Sequence, residues 1–139
     1  MKINEDLQLP SLNKSILNAI TDATEIDSNG SNTNGYWLKF KNGIMIQWGD
    51  QSKGTQTFTS DWWSFMVRSG NENMVCNFPL TFKTILGCCI TPYCHAALPM
   101  INGSSWTTSA SQKFGMVSPK GNTTSREVRC SFIAIGTWK

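Results

Sequence analysis

Two short apolar runs separated by three residues constrain this chain more than anything else in it. Tyr36-Trp-Leu-Lys-Phe40 and Ile44-Met-Ile-Gln-Trp48 flank Lys41-Asn-Gly43. β-Branched and aromatic residues on either side of an Asn-Gly step form two antiparallel strands and a tight turn. Asn42 and Gly43 both tolerate positive φ, so the spacing predicts a type I′ turn. Trp37 and Trp48 lie inside the strand patterns and are expected in the core. Further strands are expected at 56–60, 74–78, 84–90, 113–117 and 128–135. Turn formers punctuate them at Ser69-Gly-Asn71, Ile101-Asn-Gly-Ser-Ser105 and Ser118-Pro-Lys-Gly-Asn122. Short strands at intervals of about ten residues are the pattern of an antiparallel sandwich or barrel.

Composition agrees with β-structure. Ser, Thr and Asn supply 41 of the 139 residues, and only 15% are charged. Leu, Ile, Val and Phe number 30, few for a folded chain, but six Trp add apolar volume enough for a core. The length is that of one domain with a short appendage. No apolar run approaches the ~20 residues that a membrane-spanning helix needs. The start, MKINEDLQLPS, lacks the apolar segment of a signal peptide, which leads to the expectation of a protein made and kept in the cytoplasm or released by lysis. Five cysteines, Cys76, Cys88, Cys89, Cys94 and Cys130, make an odd number with no CxxC pair, and are read as reduced thiols in small apolar sites. Cys88 and Cys89, adjacent on a strand, should point to opposite faces.

The first part of the chain differs from the rest. Leu9, Leu12, Ile16, Ile20 and Ala23 recur at helical spacing behind Pro10 and Ser11, which predicts a short helix. At two heptads it is too short to stand alone in water, so it must pack on its own domain or on copies of itself. Asp27-Ser-Asn-Gly-Ser-Asn-Thr-Asn-Gly35 follows, with no apolar residue, and is expected to be a linker. The division is therefore residues 1–34, helix and linker, and residues 35–139, a β-domain. Residues 1–27 carry five acidic and two basic side chains, net −3, whereas 28–139 carry ten basic and four acidic, net +6. Such a mild basic excess reads as a solvated surface.

Catalytic signatures are sparse. His95 is the one histidine, and its neighbour Cys94 diverges from it on a strand, so neither a metal site nor a Cys-His pair is expected. Residues 28–139 hold four carboxylates, Asp50, Asp61, Glu72 and Glu127. Glycoside cleavage needs two of them held together; Asp50 and Asp61 could meet across a loop, as could any two acids. The expectation is a non-enzymatic protein without cofactor or metal. Aromatics in polar loops carry more information. Trp62 and Trp63 lie in Ser60-Asp-Trp-Trp-Ser64 and Trp106 in Asn102-Gly-Ser-Ser-Trp-Thr-Thr108. Alternation on a strand requires at least one of Trp62 and Trp63 to leave the core. Such rings suit sugar stacking or burial at a subunit interface equally.

Three segments carry a resemblance to a known family. Gly35-Tyr-Trp-Leu-Lys-Phe-Lys-Asn-Gly-Ile-Met-Ile-Gln-Trp-Gly49 resembles the opening of the C-terminal receptor-binding domain of bacteriophage tail fibres, the gp53-like tail-fibre family. Asn77-Phe-Pro-Leu-Thr-Phe82 is similar to that family's Phe-Pro-x-x-Phe step, and Phe132-Ile-Ala-Ile-Gly136 to its terminal strand. Asp61-Trp-Trp-Ser-Phe65 matches no motif of the family.

The resemblance implies an all-β antiparallel sandwich, a homotrimer at a fibre tip, and attachment to a bacterial surface receptor such as a glycan. It also implies a virion protein joined to the remainder of a tail fibre or baseplate, with no nucleic-acid partner and no membrane insertion. On that reading Leu9, Leu12, Ile16 and Ile20 bury against their copies at the three-fold axis. The receptor-binding candidates are Trp62, Trp63 and Trp106, with Arg68, Asn102 and Lys120 as polar partners, since loops carry recognition while strands are committed to pairing. The alternatives from other classes are an intracellular β-sandwich interaction module and a polysaccharide-degrading tailspike fragment.

Overall fold

The computed structural model describes residue 18 and residues 25–103, 105–121 and 125–139. Its elements are nine strands: β1 (Ile26–Asn32), β2 (Gly35–Phe40), β3 (Ile44–Gln56), β4 (Phe58–Trp63), β5 (Met66–Ser69), β6 (Thr84–Tyr93), β7 (Leu98–Ile101), β8 (Phe114–Pro119) and β9 (Arg126–Thr137). They form a five-stranded sheet ordered β1-β2-β3-β9-β6 and a four-stranded sheet ordered β4-β5-β8-β7. Every pairing is antiparallel. The fold is all-β, as the alternation predicted, and the elements just named are all strands. The helix expected from Leu9, Leu12, Ile16 and Ile20 lies outside the described residues.

The core sits between the sheets. Met45, Val128, Cys130 and Phe132 from the large sheet pack with Phe58, Val67, Phe114 and Met116 from the small one. Alternation is cleanest on β9, where Val128, Cys130, Phe132 and Ala134 are buried. On β3 the inward positions are Met45, Gln47 and Gln51, so Trp48 turns outward and is 39% exposed. This corrects the expectation that Trp48 is core; Trp37, facing the other way, is half-buried.

The segment expected to be a linker is instead strand β1 and the turn after it. β1 pairs with β2 from Ile26↔Phe40 to Asn32↔Gly35. A side chain at Gly30 would lie 2.3 Å from the Trp37 ring, so the glycine leaves the space that lets the indole lie across the edge strand. Asn32 Nδ2 then donates to the Pro79 carbonyl at 2.8 Å. Polar residues without a core face suit an edge strand, where tertiary contacts outweigh weak β-propensity.

The β2–β3 hairpin lies where Asn42-Gly43 placed it, but its turn differs. Gly43 has φ +94°, whereas Ala96 is the only non-glycine of positive φ among the described residues, so Asn42 is not left-handed. Gly43 N donates to Phe40 O at 3.0 Å, and Asn42 Oδ1 accepts from Ile44 N at 2.9 Å. This is a three-residue loop of type I closed by a left-handed glycine, the next most favoured hairpin after the two-residue forms.

Residues 74–78 are not a strand. They make two single bridges, Met74↔Phe114 to β8 and Asn77↔Ala110 to the segment before it, and otherwise bond to side chains. Gln51 Nε2 donates to Asn77 O at 2.6 Å while Gln51 Oε1 accepts from Asn77 N at 3.1 Å. Ser111 Oγ accepts from Cys76 N at 2.8 Å. Phe78 then meets Phe82 edge-on at 5.4 Å and Phe132 at 5.6 Å. The three segments that carry the family resemblance thus assemble into one unit of β2, β3, β9 and the crossing at 77–82.

Candidate functional site

The β4–β5 hairpin presents the exposed aromatic surface of the small sheet. Trp62, Trp63 and Phe65 are 42%, 65% and 62% exposed. Their rings form a chain, with centroids 5.7 Å apart from Trp62 to Trp63 and 5.8 Å from Trp63 to Phe65, each pair tilted. Strand alternation required at least one of the two tryptophans outside. Both are out because β4 is an edge strand with register shifts between Phe58 and Ser60 and between Asp61 and Trp63. Bulges of this kind re-aim side chains and break the alternation.

Register places the neighbouring residues. Trp63 pairs with Met66, and Met66 with Pro119, so the three share the outer face. Beside them lies an apolar hollow of about 380 Å³ lined by Met66, Ala96, Ala97, Leu98, Val117 and Pro119. Polar groups border it. Lys120 Nζ lies 3.0 Å from Asp61 Oδ2, and Lys120 N donates to Phe65 O at 2.8 Å, which ties the hairpin to the end of β8. Arg68 faces outward opposite Val117 and holds Glu72, with Nε 2.7 Å from Oε1 and Nη1 3.0 Å from Oε2. Asn102 Nδ2 reaches the Glu72 carbonyl at 2.6 Å.

Of the six residues expected to bind, Trp62, Trp63 and Lys120 gather at the hairpin, and Arg68 and Asn102 meet around Glu72. Trp106 is half-buried in the loop after β7. Sequence reasoning missed Phe65 and the hollow floored by Met66, Val117 and Leu98. Phe65 had a signal in Asp61-Trp-Trp-Ser-Phe65, whose turn returns its third aromatic to the first two. The hollow had none, because β5 and β7 are four residues each and too short for a period-two pattern. Chemically, the surface offers flat aromatic faces, an apolar recess, and donors and acceptors at its border. Such a combination is chemically suited to a ring with one apolar side and polar substituents.

The other titratable groups stand elsewhere. Asp50 and Asp61, the candidate acid pair, lie on different sheets with separate basic partners. Asp50 accepts from Arg129 Nη2 at 2.6 Å, from Tyr93 Oη at 3.1 Å and from Ser131 Oγ at 3.2 Å. Desolvation opposes its ionisation, yet these hydrogen bonds and the guanidinium charge hold its carboxyl below the usual range. His95 is exposed, and its carbonyl accepts from Arg126 Nη1 at 2.9 Å. All five cysteines are free. Cys88 points inward and burial pushes its thiol up to about 12, while Cys89 is exposed on the opposite face.

No protein family and no curated protein matches the chain. Two solved structures do. One is the R1 pyocin fibre of P. aeruginosa, 13% identical, with 78% of this chain and 27% of that one covered at a TM-score of 0.47. The other is an N-truncated R1-type pyocin tail fibre, 13% identical, with 88% of this chain and 94% of that one covered at a TM-score of 0.46. The chain thus spans about a quarter of the first fibre fragment.

Proposed function

We propose that this chain is the receptor-binding part of a phage or prophage tail fibre of the gp53-like kind, a homotrimer that attaches to a bacterial surface glycan through the β4–β5 hairpin. The exposed Trp62–Trp63–Phe65 cluster beside the Asp61–Lys120 pair carries this reading. Three large aromatic side chains in water are costly unless something covers them, and their polar border suits a sugar better than a dry protein interface. The union of the three tail-fibre-like segments in one structural unit supports the family part. On this reading the protein is a binder without catalysis, it needs no cofactor, and it works in the virion together with the remainder of the fibre or baseplate.

The test is binding of the labelled full chain to a glycan array and to whole bacteria. Trp63→Ala, Trp62→Ala and Phe65→Ala should each reduce binding many-fold without lowering the melting temperature by more than a few degrees. Undiminished binding by all three variants places the site elsewhere. Release of reducing ends from capsule would replace the binder reading with an enzymatic one.

A further inference from the structure

The outer face of the five-stranded sheet is apolar where a solvated sheet face is normally polar. Register arranges it in two rows across four strands. One row runs Tyr36, Trp48, Ile133, Cys89, and the next runs Leu38, Ile46, Ile135, Gly87. Tyr36, Ile133, Ile135 and Trp48 are 55%, 54%, 40% and 39% exposed, although β3 and β9 are interior strands of the sheet. A contiguous exposed apolar patch, unlike apolar residues scattered singly over a surface, is often a functional contact surface.

The two ends of these rows differ in relief. At the β2–β3 end Tyr36 and Trp48 stack, with centroids 5.8 Å apart and planes 18° from parallel, and form a raised apolar knob. At the β9–β6 end lies a hollow of about 400 Å³ around Gly87, walled by Ile46, Cys89, Ile133 and Ile135. A side chain at Gly87 would meet only Ile135 Cγ2, at 3.8 Å, so the missing side chain leaves the hollow open. The rows contain no charged residue. Further along the same strands, Arg129 on β9 is ion-paired with both Asp50 on β3 and Glu127.

We infer that this face is the contact between copies of the chain, the Tyr36–Trp48 stack of one copy seating in the Gly87 hollow of the next. One surface bearing both a knob and a hollow, at opposite ends of the same rows, is complementary to the same surface of a second copy. Apart from the Tyr36 hydroxyl, the Trp48 indole N–H and the Cys89 thiol, the rows offer no hydrogen-bonding side chain, and they carry no charge by which a charged partner would be steered. The inference rests on the oligomeric part of the reading above and is independent of its glycan part.

Sedimentation velocity on the full chain at micromolar concentration, with native alkylation mapped by mass spectrometry, tests it. The wild-type chain should sediment as an oligomer whose Cys89 is protected. Gly87→Phe, which fills the hollow, and Ile133→Glu, which charges the row, should each give a folded monomer of 15.5 kDa. In those variants Cys89 should react freely, while Trp63→Ala, on the other sheet, should leave the oligomer intact. An oligomer whose Cys89 reacts as fast as in Ile133→Glu overturns the inference while leaving the oligomeric reading standing. A wild-type monomer overturns it too, and a monomer with protected Cys89 assigns the face to another segment of the same chain. The alkylation arm needs only the wild-type chain, so a variant that fails to fold does not remove the test. Binding of the Trp63→Ala chain to bacteria reports on the glycan reading separately.

Discussion

Gln47 holds the backbone of Leu80 as a neighbouring strand would: its Nε2 donates to Leu80 O at 2.8 Å and its Oε1 accepts from Leu80 N at 2.8 Å. A side-chain amide carries one donor and one acceptor at the spacing of a peptide group, so it can close a two-bond ring with a chain that has no strand to pair with. Pro79 has no N–H, and the crossing at 77–80 could not continue a ladder. Gln47 is completely buried, so the geometry is protected from water. Replacing it by Leu keeps the volume but leaves both Leu80 groups unpaired. Urea unfolding should show a loss of about 2–4 kcal/mol, since each orphaned buried group costs roughly 1–3 kcal/mol.

The turn at Asn42-Gly43 gives a second test, in which the two residues should differ. Gly43→Val should cost about 1–2 kcal/mol, because a β-branched residue resists φ near +94°. Asn42→Ala removes only the acceptor for Ile44 N and should cost about 0.5–1 kcal/mol. Equal and large losses in thermal unfolding would indicate a left-handed Asn42 and the type I′ turn.

The exposed tryptophans should matter little to stability. Trp62→Ala and Trp63→Ala should each lower unfolding free energy by no more than about 1.5 kcal/mol, the usual upper value of a ring–ring contact. Phe114→Ala, at a site with no exposure, should cost about 3–5 kcal/mol. A loss of that larger size at Trp63 would return it to the core.

Acid sensitivity should track Asp50. Its folded pKa lies below the usual carboxylate value of about 4, so its contribution is complete above that pH and is lost as pH falls toward the folded value. Melting temperatures measured from pH 7 down to about 2 should fall less steeply below pH 4 for Asp50→Asn than for the parent chain. Identical slopes would show that the Arg129–Asp50 contact gives no linkage.

The sequence made some of this legible and hid the rest for physical reasons. The β2–β3 hairpin, β6, β8 and β9 were readable because alternation and turn chemistry are local. β1 was not, because Gly30 and its polar neighbours form a strand only with Trp37 to lie across them. Trp48 was misplaced because glutamine took the inward positions on its strand, a choice explained only by the backbone at 77–80. At the candidate site, Trp62, Trp63 and Lys120 were identifiable as loop-borne aromatics and a nearby cation. The bulges that expose both rings, and the hollow built from β5, β7 and β8, depend on register between strands far apart in sequence.

The place of β9 has a consequence for how the chain reaches this structure. It is the last strand in sequence, yet it lies between β3 and β6, and its register with β3 runs from Ile44↔Thr137 to Gln56↔Arg126. During synthesis β3 and β6 emerge first and must wait with open edges for the strand that separates them. Closing contacts between residues so distant in sequence is slow, in the millisecond-to-second range of sheet proteins rather than the microseconds of helical bundles. An intermediate with two unfilled edges is prone to pair with its own kind, so the yield of this protein should depend on chain concentration and on the time that β9 takes to arrive.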